Sequence, residues 1–180
     1  MTPFQRVMAI RTGGNTERCH GIRHVGSYSV GLHSWNVAML MLVLWPGDFP
    51  RLVTYCLTHD IPEAWVGDIP APTKRYCPEI KTACNRMEDE IFLRLNLSNG
   101  AALPKEDRAK LKACDHLELY LWAREQTYGG NMHADCVRRE LERFFLETPL
   151  PWVAHELYEV IKAGVTEYAT DNLIKELNRG

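Results

Sequence analysis

The sequence predicts an all-α protein, and three observations carry that reading. Apolar residues recur at helical spacing in segment after segment, prolines and glycines fall between those segments, and no alternating run, repeat or low-complexity tract interrupts them. At the N-terminus, Thr2-Pro3 has the form of a cap and first turn, and Phe4, Val7, Met8 and Ile10 outline a short amphipathic helix that Gly13-Gly14 ends. Asn15 to Gly31 follows without any period. It holds Arg18, His20, Arg23, His24, Ser27, Tyr28 and Ser29, a polar loop read as a binding surface.

Ser29 caps the next predicted helix, which runs to about Leu44 and places His33, Val37, Leu40, Met41 and Leu44 on one face. A histidine therefore starts a core-facing stripe. After Pro46-Gly47-Asp48 a further helix begins near Phe49-Pro50 and carries His59 and Asp60, with Pro62 interrupting it just beyond; the kink turns Glu63 and Asp68 toward the break. Gly67 to Lys74 is expected to be extended by its prolines, ahead of a helix from Pro78 to about Leu97. Pro104 opens a helix of about 24 residues in which Leu111, Asp115, Leu119 and Trp122 form one row. Gly129-Gly130 ends it, Asn131 caps a helix through Phe145, and Pro149 to Pro151 leads into a last helix ending near Asn178. Its apolar row, Val153, Leu157, Val160, Ile161 and Val165, suits a subunit interface as well as a core, so a homo-oligomer is expected.

A chain of 180 residues is long enough to bury a core without staples, and one domain over 1–180 is expected. Net charge is −2, from 21 basic and 23 acidic residues, so there is no basic field for a long nucleic acid, while a small substrate remains open. None of the six cysteines forms a C-x-x-C pair, and Cys56 and Cys114 fall inside apolar runs, which reads as reduced thiols in a cytoplasmic protein. The longest apolar run, Val37 to Trp45, is too short for a membrane span.

His33, His59, Asp60 and Asp115 stand out because each lies on or beside an apolar helical face. A buried carboxylate costs several kcal/mol unless it is paired or bound to a metal. One ion satisfies all four residues, where separate partners would require three or four compensations. Two imidazoles with two carboxylates suit a divalent metal such as Mn, Fe, Co or Zn, and leave coordination positions open for water and substrate. Glu63, close by, can position or deprotonate that water.

In this order and on separate helices, His33, the His59-Asp60 pair and Asp115 resemble the H…HD…D pattern of the HD-domain metal-dependent phosphohydrolases. The likeness is greatest to a compact subgroup, the 5'-deoxynucleotidases together with phage dATP triphosphohydrolases. Arg18 fifteen residues before His33, Glu63 in His-Asp-x-x-Glu, and Gly67-Asp68-Ile69-Pro70-Ala71-Pro72-Thr73-Lys74 all match that subgroup, over roughly residues 15 to 122. The resemblance implies a helical bundle, a divalent metal (Mn, Co, Zn, Fe or Mg) on His33, His59, Asp60 and Asp115, and Glu63 as acid or base with Asp68 beside it. It also implies a deoxynucleotide substrate and, for a phage protein, the cytoplasm of the host.

Two positions depart from the pattern. Leu32 stands where the family has Glu before the first histidine, which removes a support for the metal ligand. Cys19 stands where a bulky aromatic usually follows the arginine, so His20 or Ile22 takes up part of the substrate contact. Lys74 and Lys112, on either side of the metal, point to a triphosphate tail, since a monophosphate held by Arg18 and the ion needs fewer cations. The triphosphohydrolase reading therefore leads, ahead of a 5'-deoxynucleotidase acting on dNMP and of a nucleotide-binding helical protein without turnover.

Overall fold

Pro62 shapes the middle of the molecule. It cannot donate the N–H that an α-helix would send to the carbonyl of Thr58, and in the computed structural model the Ile61 N–H takes that carbonyl instead, at 3.1 Å. Helix α3, Phe49–Thr58, consequently ends one residue before the His59-Asp60 pair. The expected helix through His59 and Asp60 is corrected: His59 is the cap residue, Asp60 lies in the turn, and a separate four-residue helix α4, Glu63–Val66, follows.

The structure describes residues 1–164 together with Lys175, Leu177 and Arg179. Those residues hold nine α-helices, one 3₁₀ turn and no strand beyond a single isolated bridge, Glu17 to Ser29. Helix α1, Pro3–Gly14, begins with a capping box in which Thr2 and Gln5 exchange side-chain and backbone bonds. Its expected apolar face is not buried: Phe4, Val7 and Met8 lie open, and only Ala9 and Ile10 pack inward, on Val30, Ile61 and Leu95. Gly13 is buried against Ile61, where a Cβ would come within 2.8 Å of the Ile61 carbonyl, so a glycine is needed for α1 to cross the turn after α3.

Helix α2, Val30–Leu44, is capped by Ser29, whose hydroxyl accepts from the Leu32 N–H at 3.2 Å. Against expectation, residues 71–76 form a short helix, α5 (Ala71–Tyr76), because Pro72 falls in its first turn, where no intrahelical donor is required. Helix α6, Pro78–Leu95, ends on Asn96 in the left-handed region. Helix α7, Lys105–Tyr128, is the axis of the bundle and packs on α2, α3, α8 (Asp135–Glu147) and α9 (Trp152–Lys162). Asn131 caps the 3₁₀ turn Met132–Ala134 ahead of α8 rather than α8 itself. Of the apolar row foreseen on the last helix, Val165 lies outside the described residues.

The core on one side of α7 joins it to α8 and α9 through Leu117, Tyr120, Leu141, Phe145 and Tyr158. On the other side Val37, Met41, Leu52, Cys56 and Cys114 join α2, α3 and α7. The row through Leu111, Asp115 and Leu119 is half-buried, at the edge between these two cores. That edge is where the polar cluster lies. Among the described residues no helix is long and apolar enough to cross a membrane.

Two ion pairs bind α3 to α7: Arg51 holds the buried Asp107, with Nη2 to Oδ1 at 2.9 Å, and Lys110 reaches Asp48 at 2.8 Å. The Arg51 hydrogen bonds hold the Asp107 carboxyl below its ordinary range, and Lys110 and then Arg51 do the same for Asp48. Both carboxyls take up a proton more readily in the unfolded chain. The stability they contribute is therefore complete above the usual carboxylate pKa of about 3.9 and is lost as pH falls through their lower folded values. The thermal midpoint, followed by calorimetry against pH, is expected to drop more steeply below about pH 4 in the native chain than in Asp107→Asn.

Candidate metal centre

His33, on the buried face of α2, is fully shielded from solvent, and its two ring nitrogens are used differently. Nδ1 meets the carboxylate of Glu118, and the Tyr28 hydroxyl lies 3.2 Å from the same nitrogen while donating to Glu118. Asn36 donates to the other Glu118 oxygen at 3.1 Å. His59 is fixed in the same way, its Nδ1 2.9 Å from the carbonyl of Cys56. With both Nδ1 atoms turned outward, both Nε2 atoms are left to meet an ion, and they face each other at 3.2 Å. Two lone pairs at that distance repel unless positive charge lies between them.

The carboxylates close on the same point. Asp115 Oδ1 is 3.1 Å from His33 Nε2 and 3.9 Å from His59 Nε2, and Asp60 Oδ2 is 3.5 and 3.3 Å from the same two nitrogens. One ligand atom from each of the four residues lies within 4.8 Å of the others, as one coordinated ion requires. Burial works against a charged imidazole, but Asp60 and Asp115 outweigh it and push His59 up to about 9. Against burial, the neighbouring histidines hold Asp115 well below its usual range, and His59 with Arg18 lowers Asp60. The cluster draws cationic charge to one spot, and a divalent ion supplies it in a single atom.

Arg18 is 7% exposed and pairs with Asp60, its Nη1 also 3.6 Å from Glu63 Oε2. Among the described residues neither Arg18 Nε nor Glu63 Oε2 has a hydrogen-bond partner although both are buried, so two polar atoms are open to a water or a ligand at the edge of the cluster. Burial first, then the charge of Asp60, raises Glu63 to about 8, while Arg18 opposes the shift.

The residues expected around the substrate are partly gathered here. Asp68 accepts the Cys19 N–H at 2.6 Å and lies 3.8 Å from His20 Nδ1, so it anchors the loop behind Arg18. Cys19 itself has φ +53°, a left-handed conformation rare outside glycine, and its side chain packs with Tyr28 and Trp122. Burial pushes its thiol up to about 12. Ile22 is half-buried one turn on, its N–H held by the Cys19 carbonyl, and His20 is exposed. Lys74, half-buried on α5, lies close enough to Glu63 and Glu88 for its charge to act on both. Lys112 lines a cleft of about 350 Å³ that opens onto His59 and Asp115. Neither lysine forms an ion pair among the described residues, and Lys112 instead lies 5.0 Å over the Phe144 ring. They are not spent in neutralising Asp68 or Asp115.

Sequence reasoning passed over Glu118, and with it the answer to Leu32. Leu32 is exposed, whereas Glu118, three residues beyond Asp115 on α7, supplies the carboxylate behind His33. The expected loss of support does not arise. The i+3 spacing was the one available signal.

Residues 9–163 match the family model described as 5'-deoxynucleotidase YfbR-like. A dATP triphosphohydrolase of Salmonella phage PMBT28 is 32% identical over an alignment of 120 residues that covers 57% of this chain and 58% of that protein. The match thus spans little more than half the length of that relative. Among solved structures, the HD phosphohydrolase DatZ of cyanophage S-2L, bound to dA and one catalytic Zn²⁺ ion, superposes with a TM-score of 0.64 at 18% identity, covering 91% of this chain and 96% of that one. An HD-domain phosphohydrolase from Listeria innocua gives 0.67 at 20% identity, covering 97% and 90%. The helical bundle is shared with both structures, and with the family model spanning most of the chain this protein belongs to the 5'-deoxynucleotidase YfbR-like family.

Proposed function

We propose that this protein hydrolyses 2'-deoxynucleoside triphosphates, dATP foremost, to a deoxynucleoside and inorganic triphosphate. The observation that carries the reading is the cleft beside His59 and Asp115, lined by Lys112, which has no ion-pair partner among the described residues and leaves room there for further phosphates. A dATP triphosphohydrolase among the relatives and dA in the DatZ structure support the choice of base and sugar. The description of the family supports a second reading, hydrolysis of dNMP, for which Arg18 alone can hold the phosphate.

His33, His59, Asp60 and Asp115 are the residues that would hold a divalent ion, with Zn²⁺ supported by DatZ. Such an ion supplies Lewis acidity toward a phosphoryl oxygen and lowers the pKa of a water. Arg18, pinned by Asp60, offers its unpartnered Nε to the α-phosphate. Lys74 and Lys112 approach the substrate as point charges from either side. As the oxygen of water bonds to the α-phosphorus, the bond from that phosphorus to O5' breaks. Burial raises the Glu63 carboxyl and so favours its protonated form; Glu63 gives that proton to O5' and takes the one released by the attacking water in exchange. Asp68 holds the Cys19 N–H and so sets the loop that carries Arg18, while His20 and Ile22 lie beside Cys19 to cover the nucleoside.

Glu118 fixes the ring of His33, and Glu118→Gln is expected to weaken metal affinity by about 10- to 100-fold, read by competition with a chromogenic chelator. In the same reading the chain acts as one catalytic domain in the host cytoplasm and as a homo-oligomer, for which the open apolar residues of α1 and of α9, Trp152 and Val160, offer surface. Chromatography of products after incubation with dATP, dAMP and ATP tests the substrate. Deoxyadenosine and triphosphate from dATP, with ATP turned over more slowly, support it; orthophosphate from dAMP with dATP untouched would establish the second reading.

A further inference from the structure

The cleft that opens onto His59 and Asp115 is bounded on one side by α7 and on the other by Tyr55 and the Ser98-to-Ala101 turn. Arg108, Lys112 and His116 fall at i, i+4 and i+8 on α7 and all three line it, and among the described residues Asp115 is the only acidic one in its wall. Arg108 is held in place: its Nη1 donates to the carbonyls of Ala101, at 3.2 Å, and Leu103. Its Nε and Nη2 make no hydrogen bond, and it has no acidic partner, among the described residues. His116 is stacked on Phe144 with ring centroids 4.2 Å apart, its Nδ1 3.0 Å from the Lys112 carbonyl. A fixed guanidinium with two free donor groups facing a cleft is a receptor for an anion with several oxygens.

We infer that Arg108, one helical turn beyond Lys112, binds the terminal phosphates of the substrate, so that this cleft is the polyphosphate subsite of the enzyme. The inference rests on the triphosphohydrolase reading and goes beyond it by naming the residue that measures tail length. At about 1.5 Å rise per residue, Arg108 stands roughly 10 Å along α7 from Asp115 and roughly 6 Å from Lys112. A phosphate held at the metal cluster does not reach it, and a chain of three does. Gly100, at φ +73° with Tyr55 and Leu103 each 3.4 Å from where a Cβ would lie, lets the turn close tightly enough for Ala101 and Leu103 to grip Arg108.

The test is isothermal calorimetry of the full chain with inorganic tripolyphosphate and, separately, orthophosphate, in excess magnesium so that the probe does not strip bound metal. The native chain is expected to bind tripolyphosphate more tightly. Arg108→Gln is expected to weaken it by about 10- to 100-fold, a loss several times larger than any for orthophosphate. Arg108→Lys, which keeps the charge without the fork, should recover part of the loss. Equal losses for both anions, no loss at all, or a Lys variant as weak as the Gln variant would overturn the subsite, the last by showing that Arg108 only holds the turn. The triphosphohydrolase reading is judged separately, by the products of the native chain from dATP, so the two can fail independently.

Discussion

Replacing Glu63 by Gln is expected to leave the metal and the substrate bound yet to lower kcat by about 10²- to 10⁴-fold. Glu63 stands outside the four-residue cluster, and its Oε2 is buried without a partner beside Arg18. Leaving such an oxygen unmet costs free energy that a purely structural carboxylate would have no reason to bear. Burial and the neighbouring Asp60 keep its proton on to about pH 8, which suits a group that protonates a departing alkoxide at neutral pH. Glutamine preserves shape and neutrality but cannot release a proton. Steady-state kinetics with parallel metal analysis checks this, and a drop in metal content of Glu63→Gln would make Glu63 a ligand instead.

Asp115→Ala is expected to abolish measurable turnover and to weaken metal binding beyond the roughly 10- to 100-fold that follows loss of an outer partner such as Glu118. Asp115 is the only member of the cluster contributed by α7, and it faces both Nε2 atoms. Without it, Asp60 is the one member of the cluster still turning a carboxylate to the two Nε2 atoms, and Arg18 already draws on it. The variant should remain folded, because the buried apolar face of α7, Ala113, Cys114, Leu117 and Tyr120, is untouched. Metal content by mass spectrometry together with a dATP assay checks both halves; normal activity in a folded variant would remove Asp115 from the centre.

Much of this was legible because it violates a pattern. His33 heads an apolar stripe and Asp115 sits at the edge of one, and both violations lead to the same point in space. Helix limits set by Ser29, Pro104 and the glycine pair after Tyr128 were legible as well, since capping and turn residues act locally. Pro62 predicts a kink, but the donor it removes ends α3 outright and places His59 and Asp60 at a helix end. Pro72 was read as a breaker, although a first-turn proline favours a helix. Glu118 was invisible because its partners, His33 and Tyr28, lie 85 and 90 residues away in sequence, and nothing local marks a glutamate as buried. Arg108 and the turn at Gly100 form a cleft only when α3, with Tyr55, is packed against α7, so no single segment announces it.

The measurement that bears most directly on the whole account is dATP turnover of the chelator-stripped chain as Zn²⁺ or Mn²⁺ is returned. Expected are no turnover without metal, recovery that rises with metal bound and levels off at one ion per chain, and deoxyadenosine with inorganic triphosphate as the only products. Full activity in a chain shown by mass spectrometry to hold no metal would contradict it.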